Sequence, residues 1–372
     1  MPELDVLPEP ATVASGQCTG KAVSVVSLRK AYGDIVAVED ASMEIAAGEF
    51  VTFLGASGSG KTTTLMMIAG FVEPDSGTIT VGGRDITRLA PQKRDLGFVF
   101  QQYLLFPHMT VGENIAFPLQ LRGVPKDEIR RRVGETLEMV GLAGYARRKP
   151  RELSGGQQQR VALCRALVYR PPVILMDEPL GALDKKLRDQ LQTEIKNIQV
   201  ELGLTVIYVT HDQEEALVLS DRIAVMRDGR IDQFDTPREL FERPRTPFVA
   251  DFLGAANFLP GRIEGHTGEQ TLVRLNSGSL LPARPHPHTP GTAATAAVQP
   301  GRLDLCPPGD GFCAGTVRSV TYVGTLVRMQ VETGGQVVRA ELPANRAPAT
   351  GDQVGLTADP ADVTVFASDE DG

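Results

Sequence analysis

No apolar run in this chain approaches the roughly 18 consecutive residues that a membrane-crossing helix needs. Lysine and arginine are missing from residues 1–20, which carry acids and prolines where a secretory leader would carry positive charge. Residues 1–21 are therefore expected to be a loose extension. Basic charge is also in deficit overall: the net charge is −8, against a sequence-independent grip on nucleic acid or on anionic lipid. Cysteines are few, and Cys18, Cys164, Cys306 and Cys313 show no C-x-x-C spacing. Cys164 lies in an apolar helical stretch and reads as a reduced, small hydrophobe, which suggests a reducing cytosolic compartment. Tryptophan is absent and aromatics make up 5%, but the rest of the composition is ordinary, with 42% hydrophobic and 23% charged residues. At 372 residues the chain is too long for one small core, and two domains are expected.

The most informative stretch is Gly55-Ala56-Ser57-Gly58-Ser59-Gly60-Lys61-Thr62. An apolar run, Phe50 to Leu54, precedes it, and a helical pattern, Thr63 to Ala69, follows it. Strand, glycine-rich turn and helix in that order make a phosphate cradle: backbone N–H groups close on anionic oxygens, and the helix N-terminus adds favourable partial charge. Lys61 can reach β and γ phosphates as a point charge, and the Thr62 hydroxyl can ligate magnesium.

Upstream, strands are expected over Val23–Leu28, Ile35–Val38 and Ala41–Ile45, with Tyr32 in a turn beside Gly33 and Asp34. Downstream come Thr78–Val81 and Leu96–Phe100, the latter leading into Gln101. Between Tyr103 and Arg160 apolar residues recur at helical spacing, punctuated by Pro107, Pro118, Pro125 and Pro150, which indicates a helical insert. Ser154 is well placed to cap the next helix, expected over Val161–Val168. The continuous apolar run Val173–Met176 suits a strand buried on both faces of a parallel sheet. It ends in Asp177-Glu178, where ligands bind in open α/β sheets. Thr205–Thr210 ends likewise in His211-Asp212, and a hairpin is expected around Asp228-Gly229.

After about Leu253 helical periodicity gives way to short apolar segments separated by Gly and Pro. Val327–Val331 and Val337–Ala340, joined by Glu332–Gln336, form a hairpin signal. A small all-β, barrel-like domain is expected over residues 256–372, with a floppy segment around Pro282 to Thr295.

Taken together, Asp177 can hold Mg²⁺ beside Thr62, and Glu178 can polarise a water for attack on a γ phosphate. At this point the sequence resembles the ATP-binding subunits of ABC transporters over residues 22–255. The matching motifs run in the family's order: a Walker A (Gly55–Thr62), a Q-loop glutamine (Gln101), the LSGGQ signature (Leu153–Gln157), a Walker B (Val173–Glu178), a D-loop ending at Asp184, and a switch histidine (His211). Tyr32 matches the aromatic that stacks on adenine. The resemblance implies an α/β P-loop ABC ATPase domain, with a RecA-like core and a helical subdomain over about 102–160, followed by a small all-β OB-like domain of TOBE type. Gly315–Gly324 resembles the TOBE repeat, and Phe53–Phe71 with Phe248–Gly261 resembles importers of the polyamine, opine, phosphonate and ferric-ion kind.

By that resemblance ATP with Mg²⁺ is held by Tyr32, the loop Gly55–Thr62 and Thr63, with Thr62, Gln101 and Asp177 at the ion. Glu178, His211 and Gln101 serve the attacking water. Two copies pack head to tail, so that Ser154, Gly155, Gly156 and Gln157, with Asp184, complete the nucleotide site of the partner copy. The same resemblance implies integral-membrane permease subunits and, through them, an extracytoplasmic solute-binding protein, with this chain on the cytoplasmic face and no direct nucleic-acid contact. Polyamine import is the first choice of cargo. The alternatives are a soluble ABC ATPase acting on nucleic acid or ribosomes, importers of another solute (ferric ion, phosphonate, sugar), and a regulator in which the β domain binds a small molecule or protein.

Overall fold

The computed structural model describes residues 19–181 and 184–367. The expected extension up to residue 18, Cys18, and Ala182 and Leu183 of the loop before Asp184 lie outside the described residues. The chain divides into two compact units between Pro237 and Arg238.

In the first unit β1 (Val23–Tyr32) and β2 (Ile35–Ile45) form a hairpin, followed by β3 (Phe50–Leu54), α1 (Lys61–Ala69), β4 (Ser76–Val81), β5 (Arg84–Asp85) and β6 (Gly97–Val99). Three helices come next: α2 (Val111–Leu121), α3 (Lys126–Met139) and α4 (Gly155–Leu167). The unit continues with β7 (Val173–Asp177), α5 (Lys185–Leu202), β8 (Thr205–Thr210), α6 (Gln213–Leu219), β9 (Arg222–Arg227) and β10 (Arg230–Asp235). Its strands form a 10-stranded sheet in the order β5-β4-β1-β2-β10-β9-β3-β8-β7-β6. One end is antiparallel, and β9-β3-β8-β7-β6 is parallel. Every residue of β3, β7 and β8 is buried, as an apolar strand between parallel neighbours requires.

Several boundaries differ from expectation for identifiable reasons. β1 reaches Tyr32, and β2 fuses two expected strands, because register shifts near Leu28 and Lys30 break the alternation on which a sequence reading relies. α1 and α4 start earlier than their apolar periodicity, at Lys61 and Gly155, since lysine and threonines fill the first turn of α1 and glycines and glutamines that of α4. Pro118 does not interrupt the insert but sits inside α2, whose start is fixed by a Thr110–Glu113 capping box and whose buried face includes Ile115 and Leu119.

In the second unit α7 (Pro237–Glu242) and α8 (Pro247–Gly254) precede β11 (Asn257–Thr267), β12 (Gln270–Leu275), β13 (Leu280–Ala283), β14 (Ala293–Val298) and β15 (Leu303–Cys306). These are followed by β16 (Cys313–Val323), β17 (Leu326–Thr333), β18 (Gln336–Pro343), β19 (Gln353–Ala358) and β20 (Val363–Ala367). Two five-stranded antiparallel sheets, β13-β12-β11-β14-β20 and β15-β19-β16-β17-β18, share one apolar core that includes Leu259, Val273, Val317, Val327 and Leu356. The expected hairpin is there, with Thr333 paired to Gln336. Only the two ends of the segment expected to be floppy are strand, Pro282 pairing with Leu272 and Thr295 with Pro260, and residues 284–292 between them form no helix or strand. The alanine-rich β14 has weak strand propensity, and pairing on both sides, to β11 and β20, overrides it.

Candidate functional site

The loop between β3 and α1 is shaped by steric exclusion. Gly60 caps α1 with φ 99°, and a Cβ there would meet the Ala37 carbonyl oxygen at 2.6 Å. A Cβ at Gly55 would meet the Met226 carbonyl oxygen at 2.4 Å. Inside the loop Lys61 is 5% exposed and donates from Nζ to the carbonyls of Gly55 (2.8 Å) and Ala56 (2.9 Å). Burial pushes its pKa below the usual lysine range, and the nearby Glu178 and Asp177 carboxylates oppose that shift. The Ser59 hydroxyl is buried with no hydrogen-bond partner.

At the C-terminal end of β7, Asp177 Oδ1 accepts from the Thr62 hydroxyl at 3.1 Å. Burial raises the Asp177 carboxyl above the usual range, while the Thr62 hydrogen bond lowers it. Glu178 follows in the left-handed region, φ 42°, with its N–H held by Val209 O at 3.0 Å. That turn breaks the strand's alternation and presents the carboxylate at the mouth of the loop. Two side chains converge on one of its oxygens: Gln101 Nε2 donates to Glu178 Oε2 at 3.4 Å, and His211 Nδ1 lies 3.2 Å from the same atom.

A cleft of about 650 Å³ is lined by Ile35, Val36, Ala37, Ser57, Gly58, Gly60, Lys61, Thr62, Thr63, Glu178 and His211. Tyr32 is 52% exposed at the end of β1, paired with the lining residue Ile35, and Lys30 Nζ lies 5.5 Å from its ring centroid. Four other expected residues, Ser154, Gly155, Gly156 and Gln157, do not line the cleft; Ser154 caps α4, its hydroxyl accepting from Gln157 N–H while Gln157 Oε1 accepts from Ser154 N–H at 3.0 Å. Ser154 and Gly155 are exposed, whereas Gly156 packs so tightly that a Cβ would meet Leu187 Cδ2 at 2.7 Å. Asp184 is likewise outside the cleft and caps α5 through Leu187 N–H at 3.1 Å.

The oxygen donors suit magnesium. A hydroxyl and one carboxylate side by side, at the rim of a phosphate-shaped loop, match an ion that takes few protein ligands and completes its shell with water and phosphate oxygens. Among the described residues no cluster of three or more His, Cys, Asp or Glu is arranged for a self-sufficient protein cage. Gln101, the third expected donor, stands against Glu178. Three residues near the site carried no signal in the sequence pattern: Arg165, which donates to the carbonyls of Leu104 (2.8 Å) and Tyr103 (3.0 Å) after Gln101, and the half-buried Arg188 paired with the buried Glu215, next to the segment that carries His211.

Comparison with known proteins places these elements among relatives. Residues 38–181 match the ABC transporter family model, and residues 296–366 match the TOBE domain. The chain is 52% identical to the spermidine/putrescine import ATP-binding protein PotA of Rubrobacter xylanophilus, over 85% of each chain. It is 48% identical to the Fe(3+) ions import ATP-binding protein FbpC of Rhizobium etli, over 84% of this chain and 88% of that one. Among solved structures it is similar to a dimeric ATP-binding cassette in a post-hydrolysis state bound to ADP and Pi, with 37% identity, a TM-score of 0.53, and coverage of 58% of this chain and 99% of that chain. It is also similar to cbiO1 of Clostridium perfringens, part of the ABC transporter complex cbiONQ, with 32% identity, a TM-score of 0.56, and coverage of 59% and 90%.

Proposed function

This chain belongs to the ATP-binding subunits of ABC transporters, and from that premise we propose that it hydrolyses ATP to power solute import through a membrane permease, with a polyamine as cargo. The observation that carries the reading is the convergence of Gln101 and His211 on Glu178 Oε2 at the mouth of the Lys61 loop.

In this reading Lys61 and the loop N–H groups bind the triphosphate, and Tyr32 offers its exposed ring to the adenine. Thr62 and Asp177, with Gln101, would hold Mg²⁺, which supplies charge neutralisation on the phosphates. Glu178 accepts the proton of the attacking water, while His211 and Gln101 fix that carboxylate and orient the water between them. Ser154–Gln157 and Asp184 lie outside their own chain's cleft, which supports a head-to-tail pair in which each copy's α4 N-terminus faces the other's γ phosphate. ATP then favours the closed pair and hydrolysis releases it.

No helix of the described residues is long and apolar enough to cross a membrane. The membrane path is assigned to permease subunits, with this chain on their cytoplasmic face and a solute-binding protein outside. The exposed Leu104, just after Gln101, and a shallow groove between α2 and α3, lined by Ala116, Val124, Ile129 and Val133, support the permease contact. The named relatives support the cargo: polyamine import in one, ferric-ion import in another. Uptake of labelled spermidine and of ferric ion, compared in cells with and without the intact gene, tests it. Loss of spermidine uptake alone is expected; loss of ferric uptake alone would reassign the cargo.

A further inference from the structure

His211 stands between two residues whose side chains are tied into a partly buried cage. On one side, Thr210 and Tyr208 of β8 donate to Glu215 Oε2 at 2.7 and 2.9 Å. On the other, Asp212 accepts from the N–H groups of Glu214 (2.9 Å) and Glu215 (3.2 Å), and its own N–H donates to Thr210 Oγ1 at 3.0 Å. Arg188 of α5 spans the two carboxylates: Nη1 is 2.9 Å from Asp212 Oδ2, and Nε is 3.6 Å from Glu215 Oε1. Glu215 is 2% exposed and Tyr208 fully buried. Burial raises the Glu215 carboxyl, partly offset by its hydrogen bonds to Thr210 and Tyr208.

A carboxylate this deep is destabilising unless it is paired, and apolar residues of the same size would serve packing better. Its geometry instead serves the segment it grips. Arg188 also stands in the first turn of α5, its N–H donating to Asp184 O at 2.9 Å, so the helix that opens at Asp184 is bolted to the backbone carrying His211.

We propose that Arg188 and Glu215 are positioning residues for ATP hydrolysis: they hold His211 against Glu178 and make that fit depend on the seating of α5. The inference rests on the reading of Glu178 and His211 as the hydrolytic pair. Neither Arg188 nor Glu215 touches the nucleotide cleft, so both act through the 210–212 segment. A second copy meeting the Asp184 loop thereby gains a mechanical route to the histidine of the chain it touches.

Two substitutions test this in the full-length protein. Arg188→Lys keeps the charge but loses the fork that spans two carboxylates. Glu215→Gln keeps the shape and turns an amide NH₂ towards Arg188. In both, kcat for ATP is expected to fall about tenfold or more, with KM within about twofold of the parent and the ATP-induced rise in melting temperature retained. Should Arg188→Lys melt well below the parent, Glu215→Gln decides. Parental kcat in both variants, or a loss confined to KM, would overturn the proposal. Absence of ATP turnover in the unmodified protein would overturn the ATPase reading itself, so the two failures are distinguishable.

Discussion

Glu178 carries its carboxylate on a left-handed backbone immediately after a strand buried along its whole length. A non-glycine residue in that region costs about 1–3 kcal/mol, and the hydrogen bond from its N–H to Val209 O helps to hold it there. Glu178→Gln preserves size and removes the proposed proton acceptor, so steady-state phosphate release is expected to fall roughly 10²–10⁴-fold while nucleotide binding persists. Lys61→Ala acts earlier in the cycle. With ATP at about 100 times Kd a binding-competent protein gains about 2.7 kcal/mol of stability, and calorimetry of the Lys61→Ala protein is expected to show almost none of it. The phosphate loop was legible because its information is local: glycines between an apolar strand and a helix, then Lys and Thr. The tilt of Glu178 and the Arg188–Glu215 pair were not, because each depends on a neighbour far along the chain that no periodicity announces.

The helix that follows the phosphate loop is held at its far end by a buried guanidinium. Arg94, 5% exposed, donates from Nη1 to Met67 O (2.6 Å) and Ile68 O (2.8 Å), from Nε to Leu89 O (2.7 Å), and from Nη2 to Thr87 O (2.8 Å). Arg94→Ala leaves these carbonyls without their donor and is expected to destabilise the chain by about 3 kcal/mol, measured by urea denaturation followed by circular dichroism. Elements with one clear local signal were read well: the continuous apolar run of the fully buried β7 and the hairpin closing at Thr333 and Gln336 match their patterns. Those shaped by tertiary contacts were read short or missed. β1 and β2 carry bulges, α2 runs through Pro118, and β14 is a strand because two partners pair with its alanines.

On the proposed reading, two copies together make a complete site. The cleft of one chain gathers the Lys61 loop, Glu178 and His211, while its own Ser154 is exposed at a helix tip and does not line that cleft. A bulky cation at that tip leaves the nucleotide cleft of the same chain intact, so Ser154→Arg is expected to bind ATP normally yet fail to dimerise on gel filtration. The second unit's all-antiparallel sheets were legible as a class, from short apolar segments punctuated by Gly and Pro, although the compact division falls at Pro237 rather than at the composition change near Leu253. The reason is packing: Ala250 of α8 clusters with Ala256 and Ala297 of the β unit. The most direct measurement is light scattering of the Glu178→Gln protein with and without ATP. Roughly twice the monomer mass with ATP, returning to monomer when ATP is removed, is the predicted result. A protein that binds ATP and stays strictly monomeric, with or without its permease, would contradict the account.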